Sequence, residues 1–273
     1  MMLRNYILLV ISIGFFNFGL LQAQTKTDTI STSDITENSA TIPESKAESA
    51  YINKDYVESI KLYEAEVTKN KLVNQESAEL YYNLGNSYFR DNQIANAIVN
   101  YERALLLNPG DSDIRHNLRF AKTRIEDKID SSDNLFINRW VRSIQNLYSA
   151  NSWAIIGIVL FILLIVAVGS YMISLRLIIR KVSFYIGIVL IFLVVVTNVF
   201  AFKQKQKIVD RSTAIVMSAS VSIYTSPDAH SQELFRLHEG AKIKIKREEG
   251  RWIEIMIANG SVGWLQKKNV EII

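Results

Sequence analysis

The sequence predicts a multidomain protein with helical repeats first, a transmembrane hairpin of two helices next, and a small all-β barrel last. Three observations predict this fold class in a chain of 273 residues. A pattern typical of paired helices occupies residues 78–111, and two uncharged apolar runs occupy residues 154–174 and 182–202. A hydrophobic period of two, typical of strands, begins near residue 213.

The first 46 residues have the composition of a targeting segment followed by a tether. Arg4 precedes an apolar stretch, and the small residue Ala23 precedes a suitable cleavage point, so we predict a signal peptide over residues 1–23. An uncleaved signal anchor is the alternative, and both predict export of the segment that follows. Residues 24–46 are rich in Ser and Thr and contain no aromatic residue, which predicts a flexible linker.

Residues 47–130 are predicted to form a helical repeat domain. Within residues 78–111, eight side chains fall where a tetratricopeptide repeat places its aromatic, small and proline residues, so the segment resembles that family. These residues are Tyr81, Leu84, Gly85, Tyr88, Ala97, Tyr101, Ala104 and Pro109. The small residues suit the close approach of two antiparallel helices, the large ones fill the space between them, and the proline stops the second helix.

The repeat has a weaker copy before it and a single helix after it. Residues 53–67 align with the second half of the repeat, but Ser59 and Glu66 replace the usual alanines. After Asp111, which suits a helix cap, apolar residues recur every three or four positions and predict a covering helix. They are Ile114, Leu118, Ala121 and Ile125. This is close to the minimum for a solenoid, so we expect a marginal domain that a partner or a second copy stabilises.

The first helix of the repeat predicts a groove for protein partners. Tyr82, Asn86 and Arg90 fall on one face of that helix, which lines the concave side in such repeats. An amide and a guanidinium beside an aromatic ring suit a peptide backbone or a C-terminal carboxylate. The alternative is that Asn86 caps locally and Arg90 is merely solvated.

Composition argues against several classes of function. The chain has no cysteine, which excludes disulfides and a cysteine nucleophile, and His116, His230 and His238 are scattered rather than spaced as metal ligands. No catalytic grouping or phosphate-binding loop is evident, and Glu102 is expected to be a solvated helix position. The net charge of +4 is too diffuse to indicate nucleic acid. We therefore predict no enzymatic activity, no metal and no cofactor.

The apolar runs predict helices that cross the lipid bilayer. Each is long enough for the roughly 30 Å hydrocarbon core, so we expect transmembrane helices over residues 153–175 and 182–202 with a short link, 176–181, between them. Residues 134–152 form an amphipathic pattern that suits a helix in the headgroup layer. The equally acceptable alternative is a helix packed on the repeat domain.

Charge alone does not fix the orientation of this hairpin. Basic residues at 176, 180 and 181 favour a cytoplasmic link, yet further basic residues at 203, 205, 207 and 211 crowd the other end. The export signal acts first, and two spans return the chain to the side where it began. We therefore expect a multi-pass protein of the bacterial inner membrane with both soluble domains in the periplasm.

Residues 213–273 are predicted to form a small β-barrel. Isoleucines alternate with charged residues, and Asn259-Gly260 is a strong hairpin signal. Segments such as Leu237–Ile243 and the stretch that ends in Gly263-Trp264-Leu265 resemble a bacterial SH3-like domain. Such domains often bind cell-wall peptides, but Tyr224 and Ser226 depart from the family pattern. Trp252 and Trp264 are expected to pack in the core or at the rim rather than to bind a ligand.

The order of all segments resembles the BatE-type tetratricopeptide membrane proteins of the Bat aerotolerance operons. The resemblance covers nearly all of residues 50–273. It implies partners among membrane or periplasmic proteins, namely Bat proteins with von Willebrand factor A domains linked to a MoxR-type ATPase. The predicted function is a non-catalytic scaffold in such an envelope complex. The alternative is a sensor that binds peptidoglycan through the SH3-like domain.

Overall fold

The computed structural model describes residues 45–127 and 136–273 of the chain, with the backbone alone at 136–139. The predicted signal peptide, residues 1–23, and almost all of the predicted linker, residues 24–46, lie outside the described residues. Of the predicted helical domain, residues 47–130, only residues 128–130 lie outside the described residues.

Five helices lie within residues 45–127, the first range that the structure describes. They are α1 (Lys46–Ile52), α2 (Tyr56–Leu72), α3 (Ala78–Arg90), α4 (Ile94–Leu107) and α5 (Ser112–Lys122). Four of them begin at a polar residue whose side chain accepts a backbone N–H of the first turn, which satisfies a donor that the helix leaves unpaired. These caps are Ser45, Asp55, Ser77 and Asp111.

The closest helix packing in this part joins α3 to α4. A Cβ at Gly85 would lie 2.8 Å from two ring carbons of Tyr101, so only glycine allows the helices to approach this closely.

In the weaker copy of the repeat, Ser59 of α2 is fully buried, and its hydroxyl lies 2.9 Å from that of Ser87 and 3.1 Å from the Ala47 oxygen. The small serine side chain therefore fits where α2 packs against α1 and α3, a position where the repeat pattern usually has alanine.

Three helices follow, α6 (Phe136–Gln145), α7 (Ala150–Ile173) and α8 (Leu177–Asp210). The last two are long and apolar enough to cross a membrane. Only residues 174–176 separate them, so most of the predicted link, 176–181, is helical. An interfacial helix was predicted over residues 134–152, but the observed helix α6 ends at Gln145. Residues 150–152 of the predicted range form the start of α7.

Helix α8 extends well beyond the apolar run that predicted it. Its 34 residues measure about 51 Å at 1.5 Å per residue, which exceeds a hydrocarbon core of roughly 30 Å. It ends at Asp210, where Arg211 adopts a left-handed conformation with φ of 36°. The chain then enters the first strand directly, without a flexible connection.

Seven antiparallel strands form the C-terminal part. They are β1 (Thr213–Val216), β2 (Ser220–Tyr224), β3 (Glu233–His238), β4 (Lys242–Glu249), β5 (Trp252–Met256), β6 (Val262–Gln266) and β7 (Val270–Ile272). Their order is β3-β2-β6-β5-β4-β1-β7. The predicted alternation is confirmed, because Ile243, Ile253 and Ile255 are buried whereas Lys242 and Lys244 are exposed.

The sheet is open, whereas the sequence predicted a closed barrel. No pairing joins β3 to β7 among the described strands. One reason lies on β7, where the Ile272 carbonyl oxygen accepts a hydrogen bond from Arg103 of α4 at 2.9 Å. A side chain of the helical part therefore satisfies a backbone group that another strand would otherwise pair.

The β domain completes the core of the helical domain. Ile215 of β1 and the terminal Ile273 are both almost fully buried, and both belong to the cluster that contains Ile98 and Tyr101. A turn of the sheet also packs there, since a Cβ at Gly240 would lie 2.4 Å from Ile125. Residues of the β domain therefore fill part of the helical core.

Buried polar contacts accompany this packing. The Glu102 carboxylate lies 2.7 Å from the amino groups of both Lys122 and Lys242, which joins α4, α5 and β4. The expectation of a solvated Glu102 is wrong, because only 7% of the residue is exposed. Asp127 accepts the backbone N–H of His238 at 2.6 Å and contacts its ring nitrogen at 2.9 Å.

Candidate functional site

The candidate groove is built from one face of α3 and its neighbours on both sides. Tyr82, Asn86 and Arg90 are spaced four residues apart, so each lies one turn beyond the last on the same face. Tyr82 and Asn86 are half-buried, and Arg90 is exposed. The structure brings the first two together through α5, whereas Arg90 contacts the start of α2.

An amide and tyrosine network organises the centre of the groove. The Asn117 amide nitrogen donates to the Tyr82 hydroxyl at 3.0 Å and to Asn86 Oδ1 at 3.0 Å. The Tyr101 hydroxyl donates to the same Asn86 oxygen at 2.8 Å. Asn86 therefore joins α3, α4 and α5 instead of capping a helix locally.

The network leaves one amide nitrogen and one amide oxygen available. Among the residues that the structure describes, Asn86 Nδ2 and Asn117 Oδ1 have no hydrogen-bond partner. An amide side chain carries two donors on nitrogen and an acceptor on oxygen, so these groups can pair with a peptide C=O and N–H. This pairing is the chemistry that holds extended peptides in grooves.

Burial keeps the tyrosine at the base of this network neutral. Tyr101 is 1% exposed, and desolvation raises the pKa of its hydroxyl, with a further contribution from the nearby Tyr82 and Tyr51. Its hydroxyl hydrogen stays in place across the physiological pH range and continues to hold Asn86. The ring centres of Tyr82 and Tyr101 lie 6.1 Å apart, so the Tyr82 ring packs against the Tyr101 ring.

Arg90 is held over an aromatic pair at one end of the groove. Its Nε donates to the Tyr56 hydroxyl at 3.3 Å, and its guanidinium lies 5.7 Å from the centre of that ring. Tyr51 packs edge-on against Tyr56 at 5.6 Å. The hydrogen bond to Tyr56 raises the pKa of Arg90, and the terminal nitrogens face solvent where an anion can approach.

Three residues of this groove were not predicted from the sequence, namely Tyr51, Tyr56 and Asn117. Tyr56 is one repeat length before Arg90, so the 34-residue period could have paired them. Asn117 immediately precedes the buried Leu118, which places it at the edge of the packed face of α5. His116 lies exposed on α5, and no group of metal-ligating side chains occurs in residues 45–127 and 136–273.

A second concave surface lies on the β domain. A cleft of about 590 Å³ is bordered by the half-buried Trp252 and three cations. The cations are Arg251, Lys268 and Lys267, of which Lys267 pairs with Glu248 at 2.6 Å, and Asp228 also lines the cleft. Trp252 packs edge-on against Tyr224 at 5.7 Å, whereas Trp264 is 4% exposed and has Arg247 stacked 4.8 Å from its ring. Trp252 thus forms a rim, and Trp264 belongs to the packed interior.

The geometry of α3 and α4, with a glycine at the crossing and aromatic residues between antiparallel helices, defines a helical-hairpin repeat. Residues 78–111 match the tetratricopeptide repeat family. No curated protein matches the chain. The chain therefore contains a tetratricopeptide repeat, which is generally a non-catalytic scaffold and suggests a role in protein–protein interaction.

Proposed function

We propose that this protein is a membrane-anchored, non-catalytic scaffold that binds protein partners in the groove formed by Tyr82, Asn86 and Arg90. The observation that carries the proposal is the amide pair at its centre. Asn86 and Asn117 are fixed by three hydrogen bonds, are only partly buried, and keep an amide nitrogen and an amide oxygen for a partner. Fixed groups lose little conformational entropy when a partner binds, which favours binding.

The long helix α8 supports the anchoring part of the proposal. It runs from the apolar hairpin to the first strand without a break, and Arg211 at its end contacts Glu76 before α3 at 2.9 Å. The groove is therefore held in a defined relation to the hairpin. With the predicted signal peptide of residues 1–23 and two spans, the proposed location is the periplasmic face of the bacterial inner membrane.

The resemblance to BatE-type proteins supplies the proposed partners. They are membrane proteins with von Willebrand factor A domains, acting with a MoxR-type ATPase in an aerotolerance or stress complex. The same resemblance supports an SH3-like assignment for residues 213–273, in a form whose sheet is open.

The test is cross-linking in intact cells, with the affinity tag placed in the linker, 24–44, because the terminal Ile273 is buried. Arg90→Glu reverses the charge at the end of the groove and should abolish capture of a protein that the wild-type chain captures. Arg251→Glu, an equally exposed change on the β domain, is the matched control and should retain capture. Equal capture by both variants contradicts the proposal.

A second candidate function is supported by the cleft beside Trp252. Arg251 and Lys268 beside the aromatic rim suit an anionic glycan peptide, so a sensor that binds peptidoglycan is the alternative. Sedimentation of the full chain in detergent with purified cell wall distinguishes the two functions. In this assay Arg251→Glu should lose binding and Arg90→Glu should retain it, whereas no sedimentation of the wild-type chain removes the alternative.

A further inference from the structure

A cluster of cations surrounds the point where α8 leaves its apolar run. The basic collar consists of Arg142 on α6 and Lys203, Lys205 and Lys207 on α8, all of them exposed. Lys203 and Lys207 are one helical turn apart on α8, and Lys207 contacts Asn146, four residues after Arg142. None of the ion pairs within residues 45–127 and 136–273 includes any of the three lysines.

A buried hydrogen-bonded joint holds the collar in shape. Gln204 is 4% exposed, and its amide nitrogen donates to the main-chain oxygens of Gln145 and Tyr148 at 3.3 and 3.4 Å. Lys207 donates to the Gln204 side-chain oxygen at 2.8 Å and to Asn146 at 3.2 Å. The end of α6 is thereby fixed against α8 near Lys207. Lys203 and Lys207 lie on one side of α8 and Lys205 lies on the other, so the cations surround the helix.

Aromatic and apolar side chains at the same level complete the surface. Trp140 is 62% exposed, Leu147 is 53% exposed and Tyr148 is 48% exposed. Trp153, next to them, donates from its indole nitrogen to the Gln145 oxygen at 2.9 Å. Exposed Trp and Tyr beside Lys and Arg at the end of an apolar helix are typical of a membrane headgroup layer.

We propose that the basic collar binds the phosphate groups of anionic phospholipids. The inference rests on the membrane insertion in the proposed function, but it does not depend on which side the hairpin faces. Like charges this close repel one another, and a phosphate at headgroup height relieves that repulsion while Trp140 and Leu147 enter the acyl boundary. Inorganic phosphate carries the same charge but has no acyl chain to contact Trp140 and Leu147. The basic collar should therefore bind a phospholipid more tightly than inorganic phosphate.

The test is native mass spectrometry of the full chain in nonionic detergent, titrated with phosphatidylglycerol or phosphatidylcholine. A basic residue near an anionic surface strengthens binding about fivefold. We therefore expect phosphatidylglycerol to bind at least about tenfold more tightly than phosphatidylcholine. The double variant Lys203→Gln/Lys205→Gln should lose most of this preference, and inorganic phosphate should not displace the lipid.

The matched control is Lys46→Gln/Lys54→Gln, which removes the same charge from exposed positions on α1 and the turn after it. It should retain the preference. Equal binding of the two lipids by the wild-type chain, equal loss in both double variants, or displacement by inorganic phosphate overturns the inference. Alkaline carbonate extraction tests the membrane anchoring separately. Release of the chain from membranes contradicts the proposed function, whereas a chain that stays in the membrane but shows no lipid preference contradicts only this inference.

Discussion

Arg103 of α4 donates from Nη2 to the main-chain oxygen of Ile272 in β7 at 2.9 Å, and the same nitrogen contacts the Glu271 carboxylate. The Arg103 side chain is 15% exposed, and its guanidinium lies 6.0 Å from the centre of the Tyr81 ring. One side chain of the repeat thus binds the edge of the sheet. The tetratricopeptide repeat and the β domain form one packed unit as a consequence.

Replacement of this arginine should weaken the unit as a whole. Arg103→Ala leaves the Ile272 oxygen and the Glu271 carboxylate without their donor, which should lower the free energy of unfolding by about 1–3 kcal/mol. Chemical denaturation of the full chain in detergent measures the change. Arg236→Ala removes a well-exposed ion pair with Glu233 on β3 and should change stability by less than about 0.5 kcal/mol. An equal effect of the two substitutions contradicts the role given to Arg103.

Glu102 should make the protein sensitive to acid. Burial opposes ionisation of this carboxyl, but the charges of Lys242 and then Lys122 outweigh burial and lower its pKa to about 2. Since the folded pKa lies below the unfolded value of 4.5, the carboxylate stabilises the fold above about pH 4.5, and this stabilisation is lost as pH falls towards 2.

Glu102→Gln tests this directly. It leaves two lysines facing a neutral amide, and the free energy of unfolding at pH 7 should fall by about 3 kcal/mol. The pH dependence of the melting temperature between pH 5 and 2 should also become shallower. Glu58→Gln, which alters the exposed pair with Lys61, is the control and should leave the profile unchanged. A Glu102→Gln profile as steep as that of the wild-type chain refutes the assignment.

His238 should contribute in the opposite direction with pH. The hydrogen bond to Asp127 raises the pKa of the imidazole above its usual 6.5. The resulting stabilisation is complete below pH 6.5 and is lost as pH rises through the folded pKa. We expect the melting temperature to fall between pH 6 and 8 in the wild-type chain and to fall less in His238→Gln. His230→Gln, at a 95% exposed side chain, should behave like the wild-type chain.

The crossing of α3 and α4 should not accept a methyl group. In Gly85→Ala the new Cβ would lie 2.8 Å from the Tyr101 ring, so the helices must separate, with an expected loss of about 1–3 kcal/mol. Because Tyr101 also holds Asn86, partner capture should fall with stability. Gly169→Ala on α7 is the matched helical control, since no atom lies within 4 Å of its added Cβ. Thermal unfolding that ranks Gly169→Ala below Gly85→Ala would contradict this account.

Ile273, which follows β7, should matter to stability as much as any core position. Ile273 is 1% exposed within the helical core, so Ile273→Ala should cost about 2–4 kcal/mol. Leu72→Ala, at an 81% exposed position, should cost almost nothing. A melting temperature that does not change for Ile273→Ala would show that the terminus is not packed there in solution.

Local patterns predicted the elements, because each depends on residues close in the sequence. The spacing of Tyr81, Gly85 and Tyr101 predicted two antiparallel helices, and the alternation around Ile253 predicted strands. The predicted groove positions also came from helical spacing within α3. The hydrogen bond of Asn117 to this face could not be predicted in the same way, because it depends on the angle of α5.

The contacts that the sequence did not reveal join distant segments. The residues next to Glu102 in the sequence do not indicate an ion pair with Lys242. The alternation of apolar and charged residues in the strands likewise does not indicate which elements pack against the edges of the sheet. The expected closed barrel was wrong because closure depends on the neighbours of β7 rather than on its own residues. Burial of Ile215 and Ile273 is likewise a property of two domains together.

The burial of Ile215 and Ile273 in the helical core has a consequence for biosynthesis. A ribosome makes the repeat helices well before it adds β1 and β7, and folding generally proceeds domain by domain as a chain emerges. The repeat therefore stays incompletely packed until both strands have been made. During this interval its apolar surface is available to chaperones and proteases.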